Sequence, residues 1–199
     1  MVDEIDLVIR GGRVVTPSGV ISGDVAINEG KIVSVGETVL SARSIDAGGK
    51  WVMPGGVDAH AHIEQLSGMG VMNADTFETA TRSAAMGGTT SVISFAAQAG
   101  GERLTETVAN YSMRAARGAM IDYAFHLTLT DLGVANFDTE LGDLISAGHR
   151  SLKVFTTYNI KLADAEILSV MAQARRHGAL VCVHAETDAI LNHAKTELI

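Results

Sequence analysis

A single cysteine, Cys182, is the only thiol in 199 residues. No internal disulfide framework is available, and a reducing cytoplasm is the expected compartment. Proline is nearly as scarce, with Pro17 and Pro54 set against 21 glycines, a balance that suits short strand-to-helix turns better than a flexible linker. No stretch concentrates lysine or arginine, and the formal net charge is −8, so neither nucleic acid nor an anionic membrane is expected as a partner. The start of the chain is acidic, with Asp3, Glu4 and Asp6, and no long apolar run follows it; a signal peptide or membrane span is not expected there. What is abundant is apolar side chain, at 47% against 19% charged, enough for an ordinary core and too much for disorder.

The first fifty residues read as short strands. Apolar-rich stretches at Leu7–Ile9, Arg13–Thr16, Asp24–Ile27 and Lys31–Val35 are separated by turn signals at Gly11-Gly12, Pro17–Gly19 and Glu29-Gly30, which predicts a small β-rich domain with hairpins over 1–53. From residue 54 to 199 strands alternate with helices. Val57–His62, Thr90–Phe95, Tyr123–Thr128, Ser151–Phe155 and Leu180–His184 are the predicted strands. Asp75–Met86, Thr105–Arg117, Asp138–Ala147 and Asp164–His177 are the predicted helices, and a fifth begins after Glu186. Asp75 and Asp164 are the expected N-caps, with Gly87, Gly118, Gly148 and Gly178 where helix-ending glycines belong. The pattern is α/β with parallel strands joined by right-handed crossovers. Five βα units fit either an open doubly wound sheet or the N-terminal part of a (β/α)8 barrel. No glycine-rich phosphate loop follows the first strand, and the polar residues gather at strand C-termini, where barrel enzymes keep their chemistry. The barrel is the expected fold, and Gly87-Gly88-Thr89-Thr90 is read as a turn into the second strand.

Asp58, His60 and His62 alternate along the first of these strands. Side chains two apart share a face, which sets the two imidazoles roughly 7 Å apart at Cα. Two neutral imidazoles so placed can hold zinc; the plainer reading is a pair of polar residues on a solvated face. Lys153 lies mid-strand in Ser151-Leu152-Lys153-Val154-Phe155. Burial disfavours its charged form, and a neutral amine can take up carbon dioxide to become a carbamate; alternatively its stem reaches solvent. His184 ends its strand and by itself is either a core histidine or a ligand. The four share the C-terminal ends of strands one, four and five, which in a barrel face one mouth.

These residues resemble a known family. Pro54-Gly55-Gly56-Val57-Asp58-Ala59-His60-Ala61-His62 is similar to the first metal-binding strand of the amidohydrolase superfamily. Lys153-Val154-Phe155 with Tyr158 resembles the carbamylated-lysine strand of the dihydropyrimidinases and hydantoinases, and Val183-His184-Ala185-Glu186 resembles the next metal-binding strand. The likeness also takes in the β-rich segment with Gly11-Gly12 and Ala47-Gly48-Gly49, and so spans essentially the whole chain. The resemblance implies two divalent metal ions, zinc foremost, with manganese and cobalt also suited to such ligands. His60 and His62 would bind the more buried ion, carbamylated Lys153 would bridge both, and His184 would bind the second. It implies a metal-bridging hydroxide that attacks a ring carbonyl, with Tyr158 donating to the developing oxyanion. Asp58 is expected to orient a ligand histidine, and Leu66, Phe155 and Leu162 to line the pocket for the ring substituent. Cys182, on the same face as His184, is expected to be a small filler. His126, His149, His177 and His193 match no motif and receive no role.

The expected activity is hydrolysis of a cyclic amide C–N bond, with a small cyclic amide as substrate and a homo-oligomer as the assembly. Allantoinase and dihydroorotase chemistry, or a non-catalytic assembly homologue, are the alternatives. The family barrel has eight strands and runs to about 250 residues, whereas five strands are read here. The strand-six histidine and strand-eight aspartate that the resemblance calls for are not among these residues. The 199 residues alone are therefore expected to be inactive, either as part of a longer enzyme or as a chain whose open side another chain covers.

Overall fold

The turn signals that punctuate the first fifty residues act unequally in the structure, a computed structural model that describes residues 5–198 apart from Val39, Ala42, Gly68 and Met69. Asp3 and Glu4 of the acidic start lie outside the described residues. The chain divides into two compact units, Met1–Gly55 and Gly56–Ile199.

In the first unit Gly11-Gly12 does not end a strand. Leu7–Thr16 is one strand, β1, antiparallel to β2 (Gly19–Asn28), with a register slip between Ile9 and Gly12. The expected break becomes a bulge, because Gly11 takes the left-handed conformation at φ 65° and its N–H donates to Asp24 Oδ1 at 2.9 Å. A satisfied N–H lets the strand resume. Glu29 and Gly30 both have positive φ, as a tight hairpin from β2 to β3 (Lys31–Val35) requires. The sheet is completed by β4 (Ser44–Asp46) and β5 (Trp51–Val52), both parallel to β1 rather than in hairpins.

The second unit alternates strictly: β6 (Gly56–Ala61), α1 (Phe77–Met86), β7 (Thr89–Ala97), α2 (Leu104–Ala116), β8 (Asp122–Thr128), α3 (Phe137–Ser146), β9 (Ser151–Phe155), α4 (Asp164–His177), β10 (Leu180–His184) and α5 (Asp188–Leu198). The strands run in the order β10-β9-β8-β7-β6, all neighbours parallel. An open doubly wound sheet reverses strand order at its switch point; here the order never reverses, as in the wall of a barrel. Helices cover one face. Val92, Leu127, Leu152 and Val154 share a buried cluster with Phe77, Leu104, Tyr111, Leu141, Ile145 and Val170. The fold is thus mixed α/β, a separate β-rich sheet and a curled, five-stranded parallel half-barrel.

Both expected caps shift by one residue. Thr76, not Asp75, caps α1, its hydroxyl accepting from Thr79 N while Thr79 Oγ1 accepts from Thr76 N. Asp75 instead accepts from the Thr79 hydroxyl at 2.7 Å. Before α4 the capping residue is Ala163, whose N–H donates to Glu166 Oε2 at 2.7 Å, and Asp164 is the first helical residue. Asp164 still stands in the first turn of its helix, where the helix dipole favours it, while Asp75 lies just before the cap of α1.

Candidate metal centre

β6, at the edge of the sheet, carries His60 and leads directly into His62, and its residues from Gly56 to His60 are exposed. An edge strand has one neighbour only, here β7. Simple alternation also fails there: Asp58 aligns with Val92 and Ala61 with Ser94, three steps against two. This bulge removes Asp58 from strict parity with the two histidines. Asp58 acts instead through the main chain, Oδ1 accepting from His60 N at 3.0 Å.

Phe95 of β7, 3% exposed, packs against both imidazoles. Its ring lies 4.7 Å from that of His60 and 4.5 Å from that of His62, stacked on the latter, while the two imidazoles meet edge-on at 5.4 Å. His62 Nδ1 lies 2.7 Å from Gln65 Oε1. A carbonyl oxygen only accepts, so Nδ1 carries the proton and Nε2 keeps its lone pair. The pKa of His60 is held below the ordinary value by desolvation first, then by the charges of His62, Lys153 and His126, against the opposite pull of Asp58. A neutral imidazole is the form that binds metal.

Lys153 is 7% exposed, mid-strand on β9 and aligned with Cys182 of β10 and Thr128 of β8. No carboxylate of the described residues pairs with its ammonium; its close neighbour is the Phe155 ring, 4.9 Å away. His184 stacks on Phe155 at 5.3 Å, and its Nε2 lies 2.8 Å from Glu186 Oε2. That carboxylate only accepts, so Nε2–H donates to it and Nδ1 is left as the open lone pair. Tyr158, at φ 70° and 43% exposed, donates its hydroxyl to the same Glu186 oxygen at 3.1 Å. This hydrogen bond first, then burial and the Glu186 charge, raises its pKa and keeps the phenol a donor. Half-buried Cys182 shares the alignment with Lys153.

Of the three expected pocket residues, Phe155 is at the centre as described. Leu66 is 57% exposed in a loop bridge with Met72. Leu162 is a core residue instead, 6% exposed in the cluster that holds Val154 and Ile167; its N–H donates to Phe155 O, which turns its side chain to the helices. Among the described residues no three of His, Cys, Asp and Glu converge to hold a metal. The cleft lined by Glu64, Thr76, Arg114 and Arg117 lies by the outer helices and is spanned by the Arg117–Glu64 ion pair.

The residue that sequence reasoning passed over is His126. It is 8% exposed on β8, its Nδ1 2.6 Å from Ser151 Oγ and its Nε2 2.8 Å from Ala59 O. Its place alternate to Thr128, on a strand otherwise apolar from Ala124 to Leu127, was the available signal.

With this geometry in place, comparison with known proteins identifies the class. The sequence model of the Amidohydrolase family matches residues 51–198, and that of the allantoinase composite domain matches residues 7–47. The chain belongs to the amidohydrolase family. It is 37% identical over 198 residues to the D-hydantoinase of Rhizobium radiobacter, covering 98% of this chain and 43% of the relative. A solved D-hydantoinase structure superposes with a TM-score of 0.90 at 36% identity, covering 97% of this chain and 42% of that one. The dihydropyrimidinase of Brevibacillus agri gives a TM-score of 0.88 at 35% identity, with 96% and 42% covered. The chain thus matches the N-terminal portion of these proteins and spans less than half their length.

Proposed function

We propose that this chain supplies the metal-binding half of a cyclic amidohydrolase that opens hydantoin or dihydropyrimidine rings. One observation carries the reading: a lysine 93% buried in mid-strand, with no carboxylate partner among the described residues, lies close enough to shift the pKa of His60. An uncompensated buried ammonium is costly. Reaction of the neutral amine with carbon dioxide forms an N–C bond and releases one proton, and the resulting carbamate is an anion suited to cations. The donor set then fits two divalent ions, with His60 and His62 toward one, His184 toward the other and Lys153 shared, and zinc suits imidazole and oxygen ligands. When bound, such ions supply Lewis-acid polarisation of a carbonyl and activation of water at neutral pH.

The remaining work falls to the protein. Asp58 fixes the main chain of His60, and Gln65 sets the tautomer of His62. Tyr158 is the oxyanion donor; its hydroxyl, now on Glu186, is redirected to the substrate carbonyl. Phe155 and exposed Leu66 form the apolar wall for the ring substituent. We take residues 1–53 as the accessory β-domain and 54–199 as the barrel part, with the other strands supplied by the rest of a longer chain or by a partner; on this reading the 199 residues alone turn nothing over. Half-buried, unpaired Cys182 fits a reducing cytoplasm. The allantoinase match at 7–47 holds none of the proposed ligands, so it does not redirect the choice of substrate.

The test uses the full-length protein. It is expected to retain about two divalent ions per chain and to open a hydantoin or a dihydropyrimidine, with both properties lost in Lys153→Ala. Turnover of these rings by the metal-free protein, or undiminished metal retention in Lys153→Ala, would overturn the proposal.

A further inference from the structure

We infer that His126 is a positioning residue for the His60–His62 pair, a strut across the inner face of the sheet that pins the Ala59–His60 peptide, which leads into the first of the two proposed ligands; this rests on the metal-centre reading above. Strand order places β8 two strands from β6. In a flat sheet that is about 9–10 Å, yet His126 Nε2 reaches Ala59 O at 2.8 Å, so the bond spans the curl. It also meets a need. The bulge leaves Ala59 and His60 without an aligned partner on β7, and a strand carbonyl deprived of its ladder needs another donor.

The hydrogen atoms follow from the partners. Ala59 O only accepts, so Nε2 of His126 carries the proton. Nδ1 is then an acceptor, and the Ser151 hydroxyl donates to it at 2.6 Å. Ser151 stands opposite His126 by extension of the Leu127–Leu152 and Thr128–Lys153 alignment, so β9 orients the ring and the ring orients β6. The Ala59–His60 peptide is held at both ends: its C=O by His126 and its N–H by Asp58 Oδ1 at 3.0 Å. A peptide plane fixed at both ends fixes the direction in which His60 leaves the strand. Phe95 closes the arrangement, its ring 4.9 Å from His126 and against both other imidazoles. A histidine that were merely core filler would not need its hydrogen bond to fall on the carbonyl of the peptide that leads into a proposed ligand.

The experiment measures zinc affinity by chelator competition in the full-length protein, the visible spectrum of the cobalt-substituted form, and the melting temperature of the metal-free form. His126→Ala is expected to weaken zinc 10- to 100-fold, the usual cost of removing a group that orients ligands, and to alter the cobalt bands. The metal-free protein should stay folded at the assay temperature. His126→Gln, which keeps a donor for Ala59 O and an acceptor for Ser151, is expected to restore most of the affinity. Ser151→Ala leaves the ring in place but unoriented and should weaken zinc by less than tenfold; it and His126→Gln carry the test if His126→Ala does not fold. A purely structural histidine would lower the melting temperature and leave zinc affinity and cobalt bands of the folded protein unchanged. That result, in a protein whose His60→Ala variant does lose zinc, overturns the strut while leaving the metal centre standing. Failure of the wild-type protein to hold zinc overturns both.

Discussion

On the β6 side of the centre, the Ala59–His60 peptide is held by Asp58 and His126, and the His60 and His62 rings pack on Phe95. On the β9–β10 side, Lys153 is buried by its strand, but His184 and Tyr158 meet on an exposed carboxylate, Glu186. The loop after β9 is tied to α5 by Asp188, which accepts from the Thr157 hydroxyl and pairs with Lys161. One side is built to keep its shape; the other is built from groups that can exchange partners when substrate enters. On the proposed function, rigid placement suits the metal ligands, whereas Tyr158 as oxyanion donor would change its acceptor during turnover.

Four measurements would break or sharpen this contrast. Lys153→Ala has the largest expected effect, loss of metal retention and of all turnover in the full-length protein, read by metal analysis. Phe95→Ala is expected to cost about 3–5 kcal/mol of stability in denaturant unfolding, whereas Phe155→Ala, at a half-buried site, costs less; equal losses would erase the difference between the sides. Tyr158→Phe should lower kcat about 100-fold with metal content unchanged, and a fall in KM-linked binding alone would remove its oxyanion role. The smallest effect concerns pH. The hydrogen bond from Lys161, then that from Thr157, holds the Asp188 carboxyl below its ordinary 3.8. A depressed carboxylate contributes stability that is complete above 3.8 and is lost as pH falls through its lower folded value. Hydrogen exchange in residues 156–162 and α5, taken relative to the intrinsic amide rate at each pH, should therefore be flat from about pH 5 to 8 and rise in stronger acid. Asp188→Asn should raise it throughout the neutral range, while exchange in β6 stays unaffected.

Much of the second unit was legible because its signals are local. Ser151–Phe155 and Leu180–His184 begin and end where the turn residues and apolar runs put them, and α4 spans Asp164–His177 as its periodicity predicts. The likeness to the N-terminal portion of a hydantoinase is legible for the same reason: three short motifs in order on successive strands. Alternation misled at β6, because a bulge depends on what the neighbouring strand aligns with, and no spacing within Val57–His62 encodes that. The resemblance put Leu162 in the pocket, whereas the structure buries it in the core beneath the helices, its N–H on Phe155 O. Gly11 misled in the first unit, since the carboxylate that lets β1 continue comes from Asp24, thirteen residues away.

By itself the sequence determined the element types, the parallel α/β pattern and the residues with chemistry to offer, because propensity, period and capping act over a few residues. Tertiary structure alone decided that strand order never reverses, that Asp58 works through a peptide N–H, and that His126 meets Ala59 across two strands. Those outcomes depend on sheet curl and interstrand register, which arise only when segments far apart in the chain pack against one another.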